Sequence, residues 1–179
     1  SAHIAILDEK GYILAVNAAW NNYRESNSHQ NHNLNPIIGQ NYLQVCECST
    51  GPFSEEAHKM VIGIHAVMNG EQDEFSLEYP CHSPDEKRWF NARVTRFSGK
   101  GNLRIVIAHE NITQRKLSEE LIEESKTRFS SIINSSPIPL AINDENLNIT
   151  YLNPAFVAKF GYTLEDMSTL EDWFPKAYP

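Results

Sequence analysis

Hydrophobic and polar positions follow regular patterns along much of the chain, and their period separates strands from helices. Alternation of period two, or a short apolar run between polar turns, predicts strands at about 4–8, 12–17, 74–79, 88–97 and 103–109. Helical spacing predicts helices at about 18–27 and 54–69, with short helical turns near 39–45. A polar loop at 26–36 and a hairpin turn at 98–102 separate some of these segments. The order predicts an α+β domain, in which helices cover one face of a five-stranded antiparallel sheet.

The opening pattern of this domain occurs a second time, 136 positions further along the chain. Asp8 and Asn17 recur as Asp144 and Asn153, and each copy has the pattern of a β-hairpin that leads into a helix. The asparagine is placed to cap that helix, and Pro154 suits the first helical position. We therefore predict a complete domain at 1–112 and the N-terminal half of a second domain, truncated, at 135–179.

A single helix at about 113–134 is predicted to connect the two copies. Its apolar residues share one side: Leu117, Leu121, Ile122, Phe129, Ile132 and Ile133. A regular helix transmits position and rotation better than a flexible linker does. The apolar stripe and the uncovered half-domain also predict a homodimer, formed through this helix and the second copy.

Composition excludes several classes of function. Fifteen Lys and Arg against 23 Asp and Glu give a net charge of −8, which disfavours unaided binding to nucleic acid. The longest apolar runs are much shorter than a bilayer requires, so no membrane contact is expected from these residues. Three cysteines do not make a disulfide framework and fit a reducing compartment. The sequence thus predicts a cytoplasmic globular protein.

Three segments resemble the Per-Arnt-Sim (PAS) sensory domains of bacterial signalling proteins. Residues 78–84 (EYPCHSP) followed by 88–90 (RWF) look like a strand hairpin of one PAS subgroup, and 109–116 (HENITQRK) looks like the last strand and the output helix. Residues 160–167 (FGYTLEDM) with 170–175 (LEDWFP) look like the middle of a second PAS domain. The resemblance implies the PAS fold, no catalytic residues in this fragment, and a downstream histidine kinase or GGDEF diguanylate cyclase.

The resemblance also identifies candidate relay residues. PAS domains often end the last strand with Asp-Ile-Thr, in which the Asp anchors the output helix, whereas this chain has Asn111 in that position, followed by Ile112 and Thr113. Asn111 and Thr113 are therefore the predicted relay residues. The neutral Asn111 side chain can still cap the helix but cannot form an ion pair.

Haem, flavin and a metal ion are the candidate cofactors, and ordinary histidines and thiols are the alternatives. Haem-binding PAS domains hold iron through a histidine on the long helix, and here His58 is the better candidate than His65, although exposed helical histidines without a ligand are common. A flavin–thiol adduct is excluded, because the reactive cysteine of the photoreceptor motif would fall at Tyr42; non-covalent flavin stays open. Cys46, Cys48, Cys81 and His82 do not have a usual zinc spacing, which favours ordinary thiols over a metal site.

A cavity between the helices and the sheet is the remaining candidate site. Besides Ile6, its predicted lining is Trp20, Tyr42, His58, Val61, Ile64, Phe75, Leu77, Phe90 and Ile107. A cavity of about 300 Å³ or more would indicate a sensory module that binds a small ligand or partner and relays the change through the 113–134 helix. The same aromatic side chains would equally fill a solid core. That outcome would indicate a ligand-free unit for dimerisation and relay.

Overall fold

The computed structural model describes residues 1–27, 36–50, 54–83, 86–97, 101–171 and 173. The chain divides into two compact units, at 1–117 and 118–179. Most of the loop predicted at 26–36 and most of the turn predicted at 98–102 lie outside the described residues.

The first unit contains a five-stranded antiparallel sheet and three helices before the connecting helix. Its strands are β1 (His3–Leu7), β2 (Ile13–Val16), β3 (Glu74–Pro80), β4 (Trp89–Phe97) and β5 (Arg104–Asn111). Its helices are α1 (Ala18–Asn27), α2 (Tyr42–Glu47) and α3 (Ser54–Asn69). The strand order in the sheet is β2-β1-β5-β4-β3, with every neighbouring pair antiparallel. The predicted α+β class and five-stranded sheet are confirmed.

The β1–β2 hairpin is formed by local hydrogen bonds that the sequence encodes. The Asp8 carboxylate accepts hydrogen bonds from the backbone N–H groups of Lys10 and Tyr12, and Gly11 adopts a φ of 84°, which glycine tolerates without strain. In β1 the core-facing residues are Ala5 and Leu7, both fully buried. Ile6 therefore lies on the opposite face of the sheet, and its prediction as a cavity residue was wrong.

Helix α3 packs across the sheet and closes the main core. Met60, Ile64 and Val67 are buried against core-facing strand residues such as Val94 and Ile107. Gly63 allows a close approach to β3, because a Cβ added there would lie 2.3 Å from the Phe75 ring. The middle of the domain is thus filled with side chains.

The second unit repeats the opening of the first in atomic detail. Its elements are α4 (Thr113–Ser135, which begins in the first unit), β6 (Ala141–Asn143), β7 (Ile149–Leu152) and α5 (Pro154–Phe160). Asp144 accepts from the N–H groups of Asn146 and Asn148, as Asp8 does in the first copy. Even the register shift within the hairpin recurs at the equivalent residue pair.

The asparagine that follows each hairpin has the same role in both copies. Asn17 Oδ1 accepts from the N–H groups of Ile4 and Trp20, and Asn153 Oδ1 accepts from those of Leu140 and Phe156. One side chain therefore joins the first strand of the hairpin to the first turn of the helix.

Among the described residues, no helix is long and apolar enough to cross a membrane.

Candidate functional site

A cavity with two adjacent lobes lies at one end of the first unit. The first lobe has a volume of about 250 Å³ and the second about 280 Å³. Five residues line both lobes, namely Tyr42, Cys46, Tyr79, Cys81 and His109. Each lobe alone is slightly smaller than the roughly 300 Å³ at which ligand pockets usually begin, and the five shared residues place the two lobes side by side.

Four strands supply the floor of this cavity at one end of the sheet. The lining residues are His3, where β1 begins, Tyr79, where β3 ends, Phe90, where β4 begins, and His109, near the end of β5. His3 is paired with His109 across the sheet, and Tyr79 is paired with Phe90. Because neighbouring strands are antiparallel, these starts and ends meet at one edge and place four rings together.

The helices supply the remaining walls. Trp20 and Tyr23 extend from α1, and Tyr42 and Cys46 extend from α2. The Trp20 ring lies edge-on to His109, with 5.5 Å between the ring centroids, and Tyr23 lies edge-on to Phe90 at 5.5 Å. Aromatic faces and edges therefore make up most of the wall.

His109 is the polar centre of the site and is almost fully buried. Its Nδ1 atom lies 2.7 Å from the Tyr79 hydroxyl, and its Nε2 atom lies 3.2 Å from the Tyr42 hydroxyl. Burial lowers the pKa of His109 to about 4, with a further contribution from nearby His3. The ring is therefore neutral at pH 7, so one of its nitrogens donates to a tyrosine and the other accepts.

The neighbouring hydroxyl and thiol groups are also held in their neutral forms. Burial raises the pKa of Tyr42 and of Tyr79, and it raises the pKa of Cys46 to about 11. Cys46 lines both lobes beside the hydrogen-bonded group of Tyr79, His109 and Tyr42. Such a network suits binding and orientation rather than acid–base chemistry at neutral pH.

The structure brings only some of the predicted lining residues to the cavity. Trp20, Tyr42 and Phe90 do line it. The other apolar candidates pack in or against the main core instead: Val61, Ile64, Phe75, Leu77 and Ile107. Helix geometry explains the division, because Ile64 lies about 12 Å further along α3 than Glu56, which faces the second lobe.

The structure corrects the prediction that His58 lines the cavity. Its side chain is exposed, its Nδ1 atom contacts the Ser54 carbonyl oxygen, and it lines neither lobe. The first two turns of α3 direct Glu56, Ala57 and Met60 toward the cavity, and His58 lies on the side of the helix that faces solvent. His58 is therefore not placed to hold a haem iron inside this site.

Several lining residues were missed from the sequence, although the signal was present. The alternation that marks Phe75 and Leu77 continues to Tyr79, and the alternation of Ile105 and Ile107 continues to His109. Following each strand to its end would have found both. His3 and Tyr23 needed the sheet register and the position of α1, which sequence spacing does not determine.

The candidate metal ligands do not gather into a site. Cys46, Cys81 and His82 line the second lobe, whereas Cys48 is exposed. Within the ranges that the structure describes, no group of three or more His, Cys, Asp or Glu residues is arranged to hold a metal ion.

Helix α4 begins beside the cavity, because β5 carries His109 and runs directly into it. The backbone N–H of Trp89 donates to the Thr113 hydroxyl at 3.0 Å, and the N–H of Ile112 donates to the Trp89 carbonyl at 2.9 Å. Asn111 Oδ1 accepts from the Thr113 N–H at 2.9 Å. The first turn of α4 is thus joined to the start of β4, one residue before Phe90.

An ion-pair connection is supplied by a different residue from the one that the resemblance implied. Asn111 has no charge, but Glu78 on β3 pairs with Lys116 at 2.7 Å and with Arg115 at 2.5 Å. These contacts hold the pKa of Glu78 below its usual range, and Lys116 has a larger effect than Arg115. Glu78 precedes the cavity residue Tyr79, so β3 is also joined to α4.

Comparison with known proteins gives one family match. The family model described as "PAS domain" matches residues 127–179. An uncharacterized 104.1 kDa protein of Rhodobacter capsulatus is 35% identical over 114 residues, which cover 63% of this chain and 12% of that protein. The chain therefore spans only a small part of that relative's length.

Comparison with solved structures gives partial matches to sensory proteins. A sensory box sensor histidine kinase from Vibrio cholerae is 17% identical, with a TM-score of 0.39 over 63% of this chain and 83% of that chain. The PAS domain of BvgS from Bordetella pertussis is 15% identical, with a TM-score of 0.42 over 70% of this chain and 88% of that chain.

Proposed function

We propose that the first unit is a PAS sensory module. The family model described as "PAS domain" matches residues 127–179, and the hairpin and helix-capping asparagine of that segment repeat those of the first unit. The module binds a small molecule in the two-lobed cavity and passes the resulting change to α4. The carrying observation is that the cavity and the start of α4 share the same end of the sheet, where β5 connects His109 to Thr113.

The cavity walls support binding of a small, partly polar ligand. The aromatic rings offer apolar area, and the Tyr42–His109–Tyr79 group offers hydroxyl and imidazole atoms in a largely buried setting. A ligand that bonded to either tyrosine would compete with His109 for its hydroxyl. Binding would therefore rearrange a hydrogen-bonded network that reaches into β3 and β5.

Two connections support transfer of that rearrangement to the helix. A shift of β3 at Tyr79 moves Glu78 and its ion pairs to Arg115 and Lys116. A shift of β4 at Phe90 moves Trp89, whose backbone holds Thr113. We propose these contacts as the relay, with Asn111 limited to shaping the turn that precedes α4.

The proposed signal would be received by an output domain rather than by the residues described above. We propose that α4 carries the signal toward a cytoplasmic output domain of the histidine kinase or diguanylate cyclase class. This chain spans 12% of its Rhodobacter relative, so the proposal concerns a larger protein in which such a domain follows.

The direct test is native mass spectrometry of the freshly purified chain, together with an absorption spectrum. We expect a retained small molecule, released on denaturation, and lost in an Ala57→Phe variant that fills the second lobe. Ile62→Phe is the matched control, because Ile62 lies on the same helix but is 69% exposed. Retention by Ala57→Phe at the same level as the control would contradict binding in this cavity.

A second function, as a dimerisation and relay unit, is favoured by the surface of α4. Leu121 is 66% exposed and Phe129 is 55% exposed, on the same stripe as Ile122 and Ile132. Such a stripe on a long helix suits a second copy of the same helix. We therefore propose a homodimer through α4, whether or not the cavity holds a ligand.

Light scattering over a range of concentrations tests the homodimer. We expect a mass twice that of the 20.4 kDa chain, reduced to one chain by Phe129→Glu. Thr127→Glu is the control, because Thr127 lies on the other side of α4. A wild-type chain that stays monomeric at high concentration would contradict the dimer.

A further inference from the structure

One wall of the second lobe carries a carboxylate group, one oxygen of which has no partner among the described residues. Glu56 lies in the first turn of α3 and lines this lobe. Among the described residues, its Oε2 atom is buried and accepts no hydrogen bond. Burying such an oxygen costs free energy, because its hydrogen bonds with water are lost and nothing replaces them.

The residues that line the cavity include a carboxylate but no lysine or arginine among the described residues. Glu56 is the only acidic residue that lines either lobe, and no lysine or arginine of the described chain lines them. His82 also lines the second lobe, and its Nδ1 atom accepts a hydrogen bond from the Arg88 N–H. An anionic ligand would therefore meet the Glu56 carboxylate and no lysine or arginine among the described lining residues; Arg88, which is outside the lining, is engaged with the Tyr23 ring and the Cys81 carbonyl.

The aromatic walls favour the same ligand charge as the carboxylate. Tyr42 and Tyr79 line both lobes, and Trp20 and Phe90 line the adjacent first lobe, with 6.5 Å between the Trp20 and Tyr42 ring centroids. Ring faces attract a cation that lies within about 6 Å of the centroid. The fold already uses this interaction next to the site, where Arg88 lies 5.5 Å from the Tyr23 centroid.

We propose that the cavity recognises a small organic ammonium ion with an apolar or aromatic body. The ammonium group pairs with the Glu56 carboxylate, and the apolar body lies among the aromatic rings. This inference rests on the proposed function, because it names the chemical class of ligand for the same cavity.

Three probes with matched bodies and different charges test the class of ligand. The probes are 2-phenylethylamine, 2-phenylethanol and 3-phenylpropanoate, titrated into the full chain by calorimetry. We expect the amine to bind at least tenfold more tightly than the alcohol, and the carboxylate to bind weakest. Equal or tighter binding of 3-phenylpropanoate would overturn the proposal.

Variants of two adjacent glutamates then separate the site from the general surface charge. Glu56→Gln should weaken amine binding tenfold or more and leave binding of the alcohol unchanged. Glu55→Gln should change neither, because Glu55 is exposed and pairs with Lys59. Amine binding that is unaffected by Glu56→Gln would overturn the role of Glu56.

Native mass spectrometry distinguishes failure of this inference from failure of the proposed function. If no probe binds, a retained molecule with an ammonium group supports the inference, and a retained neutral or anionic molecule overturns it while the sensory function stands. If no probe binds and no molecule is retained, both proposals fail.

Discussion

Protonation of His109 should weaken the first unit in acid, and the size of the effect follows from its burial. The folded pKa is about 4, against an ordinary value of 6.5. Between these values the folded state binds fewer protons than the unfolded state, so stability is complete above pH 6.5 and falls as the pH drops toward 4. The difference corresponds to roughly 3 kcal/mol of unfolding free energy.

Two measurements on the full chain would check this prediction. NMR of the imidazole nitrogens gives the pKa of His109 directly, and urea unfolding at several pH values, followed by amide exchange in β5, gives the stability of the first unit. In His109→Gln the unfolding free energy should lose most of its dependence on pH between 6.5 and 4. His58→Gln is the control, because it removes an exposed histidine from the same unit.

The reasoning would be refuted if His109 titrated near pH 6.5 in the folded chain. It would also fail if His109→Gln kept the full pH dependence, since His3 or the carboxylates would then be responsible. His3 faces His109 across β1 and β5, and burial lowers its pKa as well, so His3→Gln should account for part of any remaining slope.

Three further predictions concern the relay, the core and the repeat. Glu78→Gln should change the unfolding free energy by less than about 1 kcal/mol, because its ion pairs are exposed. The same variant should nevertheless accelerate amide exchange in the first turn of α4. The control is Glu74→Gln, which removes an ion pair between another β3 glutamate and Arg93 and should leave exchange in that turn unchanged. Gly63→Ala should lower the free energy of thermal or urea unfolding by about 1–3 kcal/mol, because the added Cβ meets the Phe75 ring. Adding Phe75→Leu should restore part of that free energy. An equal loss of stability in the double variant would contradict the clash. Asn153→Ala should lower the unfolding free energy by roughly 3 kcal/mol and speed amide exchange at 141–152, because the backbone N–H groups of Leu140 and Phe156 lose their acceptor. The control Asn148→Ala, at an exposed position, should lower the unfolding free energy much less.

The elements were predictable because their signals are local. Helices α1 and α3 have the bounds that helical spacing predicts, and the strands differ from the predicted ranges by a few residues at their ends. The repeat was visible for the same reason, since Asp8, Asn17 and their counterparts act on backbone groups within a single hairpin. Side chains that satisfy nearby backbone atoms leave a readable trace in the chain.

The candidate site was only partly predictable. Trp20, Tyr42 and Phe90 line the cavity, whereas His58 lies on the exposed side of α3, and His109 was overlooked. Apolar spacing identifies a buried face but does not say which part of it is filled and which part surrounds a cavity. That division depends on where along α3 the helix leaves the sheet.

The sequence by itself determined the strands, the helices, the α+β class and the repeated hairpin, because each depends on residues close together in the chain. The tertiary structure alone decided that His3, Tyr79 and His109 meet at one edge, that Glu56 faces the same space, and that Glu78 reaches α4. Those relations join residues up to about a hundred positions apart. Strand register and helix placement set them, and both result from the packing of the whole domain.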